Sequence, residues 1–355
     1  MFPDCSQEAT HGIDRTPQRP LPRQVPGPGQ WLDPAGARIS VAEWSETFLS
    51  LCRRLERTSQ DTYRRDLAKY IVPRFGHYRI GQLPADEVEN WLNDELDAGI
   101  APSSVLRHYR TLRRMLQVAV DKEKLLINPC DRVEAPRVPA VEMTFLNWDE
   151  VIELADTHTP RFRALILFAV ETGMRWSELV GLRRRNLDLR TGRVRVTEQL
   201  LRLGAGEWLR KEPKTPASVR SISLSSALVE LMSDHVAQYA GEGPDGLVFT
   251  SSRATPLISS SFLSNHFGPA RRAVGLSCRF HDLRHTSVAL AIAAGAHPKA
   301  IQTRMGHSSI RVTLDRYGHL LPELDQAIAK SFGDELTKAR ERRNSELVQG
   351  DAGAA

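Results

Sequence analysis

The stretch "MGHSSIRVTLDRYGHL", residues 305 to 320, puts Tyr317 ten residues after the pair Gly306 and His307. Just upstream, "FHDLRHTS" at 280 to 287 groups His281, Arg284 and His285. These residue types together suit phosphate chemistry. A guanidinium forks onto two phosphate oxygens, an imidazole moves protons near neutral pH, and a phenol is a nucleophile once its proton is taken. Each type also occurs singly in any basic protein, so order and spacing must decide.

The bulk composition bounds the answer. A chain of 355 residues, 41% hydrophobic and 26% charged, is long enough for two buried cores and is not composed like a disordered chain. A formal charge of +5 and a pI near 9.1 favour a polyanionic partner only if the charge is segregated. Cys5, Cys52, Cys130 and Cys278 are scattered without a C-x-x-C pair, which suggests neither a disulfide framework nor a thiolate zinc site. The longest apolar run, "ALILFAV" at 164 to 170, is far short of the roughly 20 residues a membrane span needs. With no signal-peptide core at the N-terminus, the expected location is cytoplasmic, with no membrane partner.

Residues 1–37 hold seven prolines and four glycines, a composition read as a disordered tail. Order is expected from "ISVAEWSETFLSLCRRL", where Ser40 and Glu43 form a capping-box pattern and Trp44, Phe48, Leu51 and Leu55 recur at helical spacing. Three more helices are predicted near 59–72, 85–98 and 103–121, giving a helical domain over 38–130. Its charge is segregated: residues 53–79 hold eight Arg or Lys against three acids, and 86–97 hold six acids and no base. Arg64, Arg65 and Lys69 lie in the basic stretch. Arg107, Arg110 and Arg114 share one face of the fourth helix, opposite Val105, Leu112 and Leu116. A solvated face and a DNA-facing surface carry equal weight on this pattern alone.

The proline-bearing segment 131–143 is read as a linker. A second domain, 144–338, opens with helical patterns, passes through the alternating segments "RVRVTEQL" and "VRSISLS", and returns to helices with a short "LVFT" strand. The expected fold class is mainly α, of the α+β kind, with a small antiparallel sheet. A flexible tail is expected over 339–355.

Five segments of this second domain carry chemistry in a fixed order: "TGMRWSEL" with Arg175 and Glu178, "PKT" with Lys214, "HDLRHT" with His281 and Arg284, "MGH" with His307, and "DRYGH" with Tyr317. Taken singly, an i, i+3 ion pair or a hairpin lysine is ordinary. Taken together, the chain from about 40 to 335 resembles the tyrosine recombinases, the phage-integrase-like enzymes. Met305 stands where the family usually has leucine, and Lys211 stays beside Lys214 as the other candidate lysine. The resemblance implies a helical core DNA-binding domain followed by a mixed α/β catalytic domain, closing on DNA as a C-shaped clamp. It implies Arg175, Lys214, His281, Arg284 and His307 as the catalytic shell around the nucleophile Tyr317, with Glu178 in support. It also implies a 3′-phosphotyrosyl intermediate and strand exchange through a Holliday junction.

The same constellation is sensible chemically. Two arginines donate paired hydrogen bonds to non-bridging oxygens. A phenol with a pKa near 10 needs a proton acceptor, for which His281 is the candidate. His307 would hydrogen-bond the phosphate, and Lys214 would protonate the leaving 5′ oxygen. No carboxylate cluster is present to hold a metal, so neither metal nor cofactor is expected.

Double-stranded DNA with inverted core half-sites and a homotetramer on synapsed DNA are the implied partners. Accessory directionality or host bending factors are further ones. The segment "GQWLDPAGARIS" resembles the end of the arm-site domain that many phage integrases carry before the helical half. Beyond Pro322, Leu324, Ile328, Phe332 and Leu336 recur every four residues, a stripe expected to mediate assembly between protomers. Three other readings stand beside this one. A type IB topoisomerase uses a similar shell to nick and reseal. A non-catalytic DNA-binding relative need not retain six site residues. A zinc hydrolase through His281 and His285 lacks the glutamate after His281 and would face repulsion from Arg284.

Overall fold

The computed structural model describes residues 38–139, 142–204, 206–213, 216–317 and 332–341. The chain divides into two compact units between Val138 and Pro139, inside the proline-bearing segment. The Pro/Gly-rich N-terminal stretch 1–37 and the stripe residues Leu324 and Ile328 lie outside the described residues.

The first unit is helical. Ser40 and Glu43 do form a reciprocal capping box, and it starts α1 (Val41–Leu51), satisfying two backbone donors that a helix start leaves orphaned. The expected second helix is longer than its pattern suggested: α2 (Arg57–Asp66) runs through a π-turn at Leu67–Ile71 into α3 (Val72–Phe75). Pro73 explains the π-turn, because it has no N–H to donate and its ring crowds the preceding turn. Helices α4 (Ala85–Asp97) and α5 (Pro102–Asp121) follow. Trp44, Phe48, Leu67, Phe75, Trp91, Leu112 and Leu116 make the core. Trp44 Nε1 donates to the Met115 carbonyl at 3.0 Å, so α1 and α5 are bonded as well as packed.

The second unit begins with α6 (Trp148–Asp156), capped by Asn147 and Glu150, and the largely buried α7 (Pro160–Thr172). After α8 (Trp176–Val180) come β1 (Leu187–Asp188), β2 (Arg193–Val196), β3 (Gln199–Arg202), β4 (Trp208–Lys211) and β5 (Arg220–Ser223). They form two antiparallel sheets, β1-β2-β5 and the hairpin β3-β4. Thus "RVRVTEQL" is two strands that belong to different sheets. The expected "LVFT" strand is not one: Leu247 and Thr250 make only isolated bridges, and Val248 and Phe249 are buried in the core instead. A short apolar run reads the same whether it is a strand or buried loop.

Helices α9 (Ser226–Tyr239), α10 (Ser259–Phe262), α11 (Gly268–Ala273), α12 (Asp282–Ala293), α13 (Pro298–Met305) and α14 (Ile310–Tyr317) complete this unit. Residues 332–341 are helical, so the boundary expected at 338/339 falls inside a helix. Phe332 and Leu336 on it are 71% and 54% exposed. No helix among the described residues is long and apolar enough to cross a membrane.

Three histidines of this unit have their pKa drawn below the ordinary 6.5, with loss of solvation as the leading cause: His158, His235 and His281. His158 Nδ1 donates to the Leu154 carbonyl and His235 Nε2 to the Val248 carbonyl. A lowered folded pKa means that the unfolded chain binds more protons below 6.5. Stability is therefore full above that pH and falls as pH drops toward the lowered values. Melting curves from pH 7.5 to 5.5 should show a declining Tm, and a flat Tm across that window would refute this coupling.

Candidate active site

The site is assembled at the ends of helices. Helix α7 ends at Gly173, whose φ of +61° is a left-handed cap. A Cβ there would come within 2.5 Å of Met305 Cε and 3.0 Å of Ser287 Oγ, so the turn needs glycine both for its backbone and for room. Arg175 then sits at the N-cap of α8 with Glu178 at its third position. The Glu178 carboxylate accepts from the Arg175 backbone N–H and from its guanidinium, each at 2.9 Å. What looked like an ordinary i, i+3 pair has a glutamate side chain 4% exposed and an arginine side chain 37% exposed. Glu178 holds the arginine while leaving part of it open to a ligand.

Helix α12 carries an unusually polar buried face. Asp282, Leu283, Arg284, His285, Thr286 and Ser287 are all buried in it. Asp282 anchors its start by accepting from the backbone N–H, Nε and Nη2 of Arg279. Arg284 is a buried cation: it donates from Nη1 to the Gly173 carbonyl and from Nη2 to the Met305 carbonyl at 2.7 Å. It thereby bonds the "TGMR" turn to the "MGH" turn. Burial, and then the neighbouring Arg175, draw its pKa down to about 9, the signature of positive charge gathered where an anion would relieve it.

His281 is the N-cap residue of α12 and is open to solvent. Partial loss of solvation and the nearby Arg284 keep its pKa below 6.5, so the ring is neutral at pH 7. His307 follows Gly306, the left-handed cap of α13, and its carbonyl accepts from Gln302 Nε2.

Tyr317, at the end of α14, is 2% exposed and packs with Val288, Ile301 and Met305. Its hydroxyl lies 2.5 Å from Nδ1 of His285. This departs from the expectation that His281 would be the acceptor. The imidazole on the hydroxyl is the one a helical turn further along, with the two histidine rings edge to face at 5.0 Å. "FHDLRHTS" contained His285, but periodicity alone does not tell which of two histidines on one helix meets a residue from another. Arg220 was missed altogether. It lies at the start of β5, its side chain is 2% exposed, and it forks onto Glu178 at 2.9 and 3.1 Å. Lys214 lies outside the described residues, in the connection after β4, which ends at Lys211.

In the first unit, Arg64, Arg65, Lys69, Arg110 and Arg114 are exposed. Arg107 is tied down although its side chain stays 40% exposed: its Nε is 3.3 Å from the fully buried Asp66, and its Nη2 is 2.8 Å from His108 Nε2. Since arginine only donates, His108 Nε2 accepts and its Nδ1 carries the proton shared with Glu95. The face expected from the periodicity therefore presents Arg110 and Arg114 outward, with Arg107 tied at its edge.

Residues 143–323 match the model of the phage integrase family. Over 320 residues the chain is 30% identical to a prophage phiRv2 integrase of Mycobacterium tuberculosis, covering 88% of this chain and 82% of that protein. The chain belongs to the phage integrase family. It is a tyrosine site-specific recombinase, an enzyme that breaks and rejoins DNA. The ICEBs1 integrase of Bacillus subtilis is 26% identical over 279 residues, 76% of this chain and 75% of that one. The fold is that of a Tn1549 transposon integrase solved with a circular intermediate DNA, at a TM-score of 0.69 and 20% identity, covering 83% of this integrase and 99% of that chain. A lambda integrase tetramer bound to a Holliday junction superposes with a TM-score of 0.58 at 21% identity, covering 78% and 77% of the two chains.

Proposed function

We propose that this integrase inserts or excises a mobile element by cutting and rejoining DNA through a 3′-phosphotyrosyl link on Tyr317. The observation that carries the reading is the meeting of Arg175, Arg284 and the "MGH" turn around one set of helix ends, with Tyr317 on the adjoining helix. The Tyr317 oxygen bonds to the scissile phosphorus and the bond from phosphorus to the 5′ oxygen breaks. The phenolic proton passes to an imidazole, and the departing oxygen takes a proton from Lys214. Arg175, Arg284 and His307 donate to the non-bridging oxygens, where charge builds in the transition state. Because the hydroxyl is buried here, cleavage requires Tyr317 to be brought out to the phosphate. Trapping on a nicked suicide duplex, followed by peptide mapping, tests this reading: the adduct belongs on Tyr317, and an adduct elsewhere would overturn it.

His285, which already holds the hydroxyl, is assigned the role of proton acceptor, and His281 is placed on the phosphate side. His285→Gln should leave half-site binding unchanged and slow cleavage about 10²-fold, the usual scale of one general base. Cleavage by His285→Gln within about twofold of wild type, beside a loss of about 10²-fold in His281→Gln, would reverse the assignment.

Lys214→Ala should slow cleavage by about 10²-fold or more, as for loss of a general acid. It should recover when the leaving 5′ oxygen is replaced by sulfur, which departs without a proton. Rescue of Lys211→Ala in place of Lys214→Ala would move the role to Lys211.

The partner proposed is double-stranded DNA carrying inverted core half-sites, bound by the exposed Arg64, Arg65, Lys69, Arg110 and Arg114, with Arg107 at their edge. Phosphate neutralisation by such groups dominates affinity and makes it salt-dependent. A homotetramer on synapsed DNA follows from the need to exchange four strands, and accessory directionality or bending factors would bias the outcome. Exchange is balanced, one phosphodiester for one phosphotyrosine and back, so no nucleotide triphosphate is consumed.

A further inference from the structure

We propose that Arg220 is a positioning residue for the cleavage reaction: it shares the buried charge of Glu178 so that Arg175 stays available to the phosphate, and it fixes the turn that presents His307. The inference rests on the site reading above, in which Arg175 and His307 face the phosphate.

The geometry is specific. Glu178 is 3% exposed and faces two guanidiniums, Arg175 at 2.9 Å and Arg220 at 2.9 and 3.1 Å. A buried carboxylate with a single cationic partner would pair with it fully, leaving that partner little positive charge for a ligand. With Arg220 taking a two-point hold, the carboxylate is already compensated. Arg175, whose side chain is 37% exposed, then keeps its charge for a ligand. Only a planar fork makes this hold, which an ammonium cannot reproduce.

The same guanidinium reaches a second catalytic segment. Arg220 Nε donates to the Arg304 carbonyl at 2.7 Å, and Arg284 Nη2 donates to the next carbonyl, that of Met305, at 2.7 Å. Two arginines from different elements thus hold successive carbonyls just ahead of Gly306 and His307. Gly306 has φ +65°, and a Cβ on it would lie 3.1 Å from Arg220 Cδ and 3.1 Å from the Ala217 carbonyl. Only glycine lets this turn close against Arg220. Arg284 braces the two turns through Gly173 and Met305, and Arg220 braces them through Glu178 and Arg304. Nothing in the sequence marks Arg220 as more than one arginine on a strand.

The test is single-turnover cleavage of a nicked full-site duplex by full-length wild type, Arg220→Met, Arg220→Lys, Glu178→Gln and the double variant Arg220→Met/Glu178→Gln, with half-site binding measured for each. Arg220→Met is expected to bind within about threefold of wild type and to cleave about 10²-fold more slowly, the scale of one misplaced transition-state donor. Because the defect comes from Glu178 drawing fully on Arg175, adding Glu178→Gln should restore at least about tenfold, a coupling that a merely structural role would not produce. Wild-type cleavage by Arg220→Met, or a double variant no faster than Arg220→Met, would overturn the proposal. If Arg220→Met is not recovered folded, Arg220→Lys with and without Glu178→Gln is read the same way: slowing about tenfold with relief by Glu178→Gln supports it, and wild-type rate or no relief overturns it. Arg175→Ala is the control for the site itself: full cleavage by that variant would sink the site reading, whereas its loss beside unaffected Arg220 variants would sink this inference alone.

Discussion

Tyr317→Phe is expected to abolish covalent attachment to DNA while leaving half-site affinity within about twofold, because the substitution removes one oxygen and no charge that phosphate binding uses. The ring is buried among Val288, Ile301 and Met305 and near Phe145, and phenylalanine fills the same volume. The bond to His285 is lost, and a neutral hydrogen bond has a net worth of about 1 kcal/mol, so the stability change should be modest. A denaturing gel of a nicked suicide substrate reads the adduct directly, and a melting curve shows that the variant is folded. A persistent adduct in Tyr317→Phe would mean that another residue is the nucleophile. Lost adduct together with lost half-site binding would instead mean that α14 supports DNA binding, and the hydroxyl could then no longer be singled out.

Much of this arrangement could be read in the chain because the reactive groups sit beside local signals. Gly173 and Gly306 are helix caps of left-handed backbone, and capping glycines leave a sequence trace. Arg175 and His307 follow them by one or two residues and were placed with them. Ser40 with Glu43, and the spacing of Trp44 and Phe48, gave the first helix for the same reason. What escaped was carried by contacts between distant segments. Arg220 meets Glu178 across 42 residues and His285 meets Tyr317 across 32, and no periodicity reports such pairs. Arg107 illustrates the converse. Its place on a charged helical face was correct, yet Asp66, 41 positions earlier in the chain and fully buried, holds its Nε at 3.3 Å. The "LVFT" segment failed for a related reason, since burial by tertiary packing and strand pairing select the same residues.

Arg284→Lys should be as damaging to chemistry as loss of the nucleophile is to attachment, with single-turnover cleavage lowered by about 10³-fold or more. The charge is retained, so an argument from electrostatics alone would forecast a mild effect. The structure argues otherwise. The planar group spends one N–H on Gly173 and one on Met305, which hold the "TGMR" and "MGH" turns in register, and its remaining N–H groups are free to meet phosphate. An ammonium has three donors on one nitrogen and cannot span both carbonyls and the ligand together. At least one buried carbonyl would then lose its partner, costing about 1 to 3 kcal/mol of stability. Burial also weighs more heavily on lysine than on arginine. The same surroundings that draw Arg284 to about 9 would push an ammonium toward deprotonation near neutral pH, removing the charge as well. Cleavage by Arg284→Lys should therefore rise as pH is lowered from about 8 to 7, over the range where a buried lysine regains its proton. Wild type, whose Arg284 keeps its charge below about 9, should show no such rise over that interval. A variant that cleaves within tenfold of wild type at pH 8 would show that charge alone is what the site requires of Arg284.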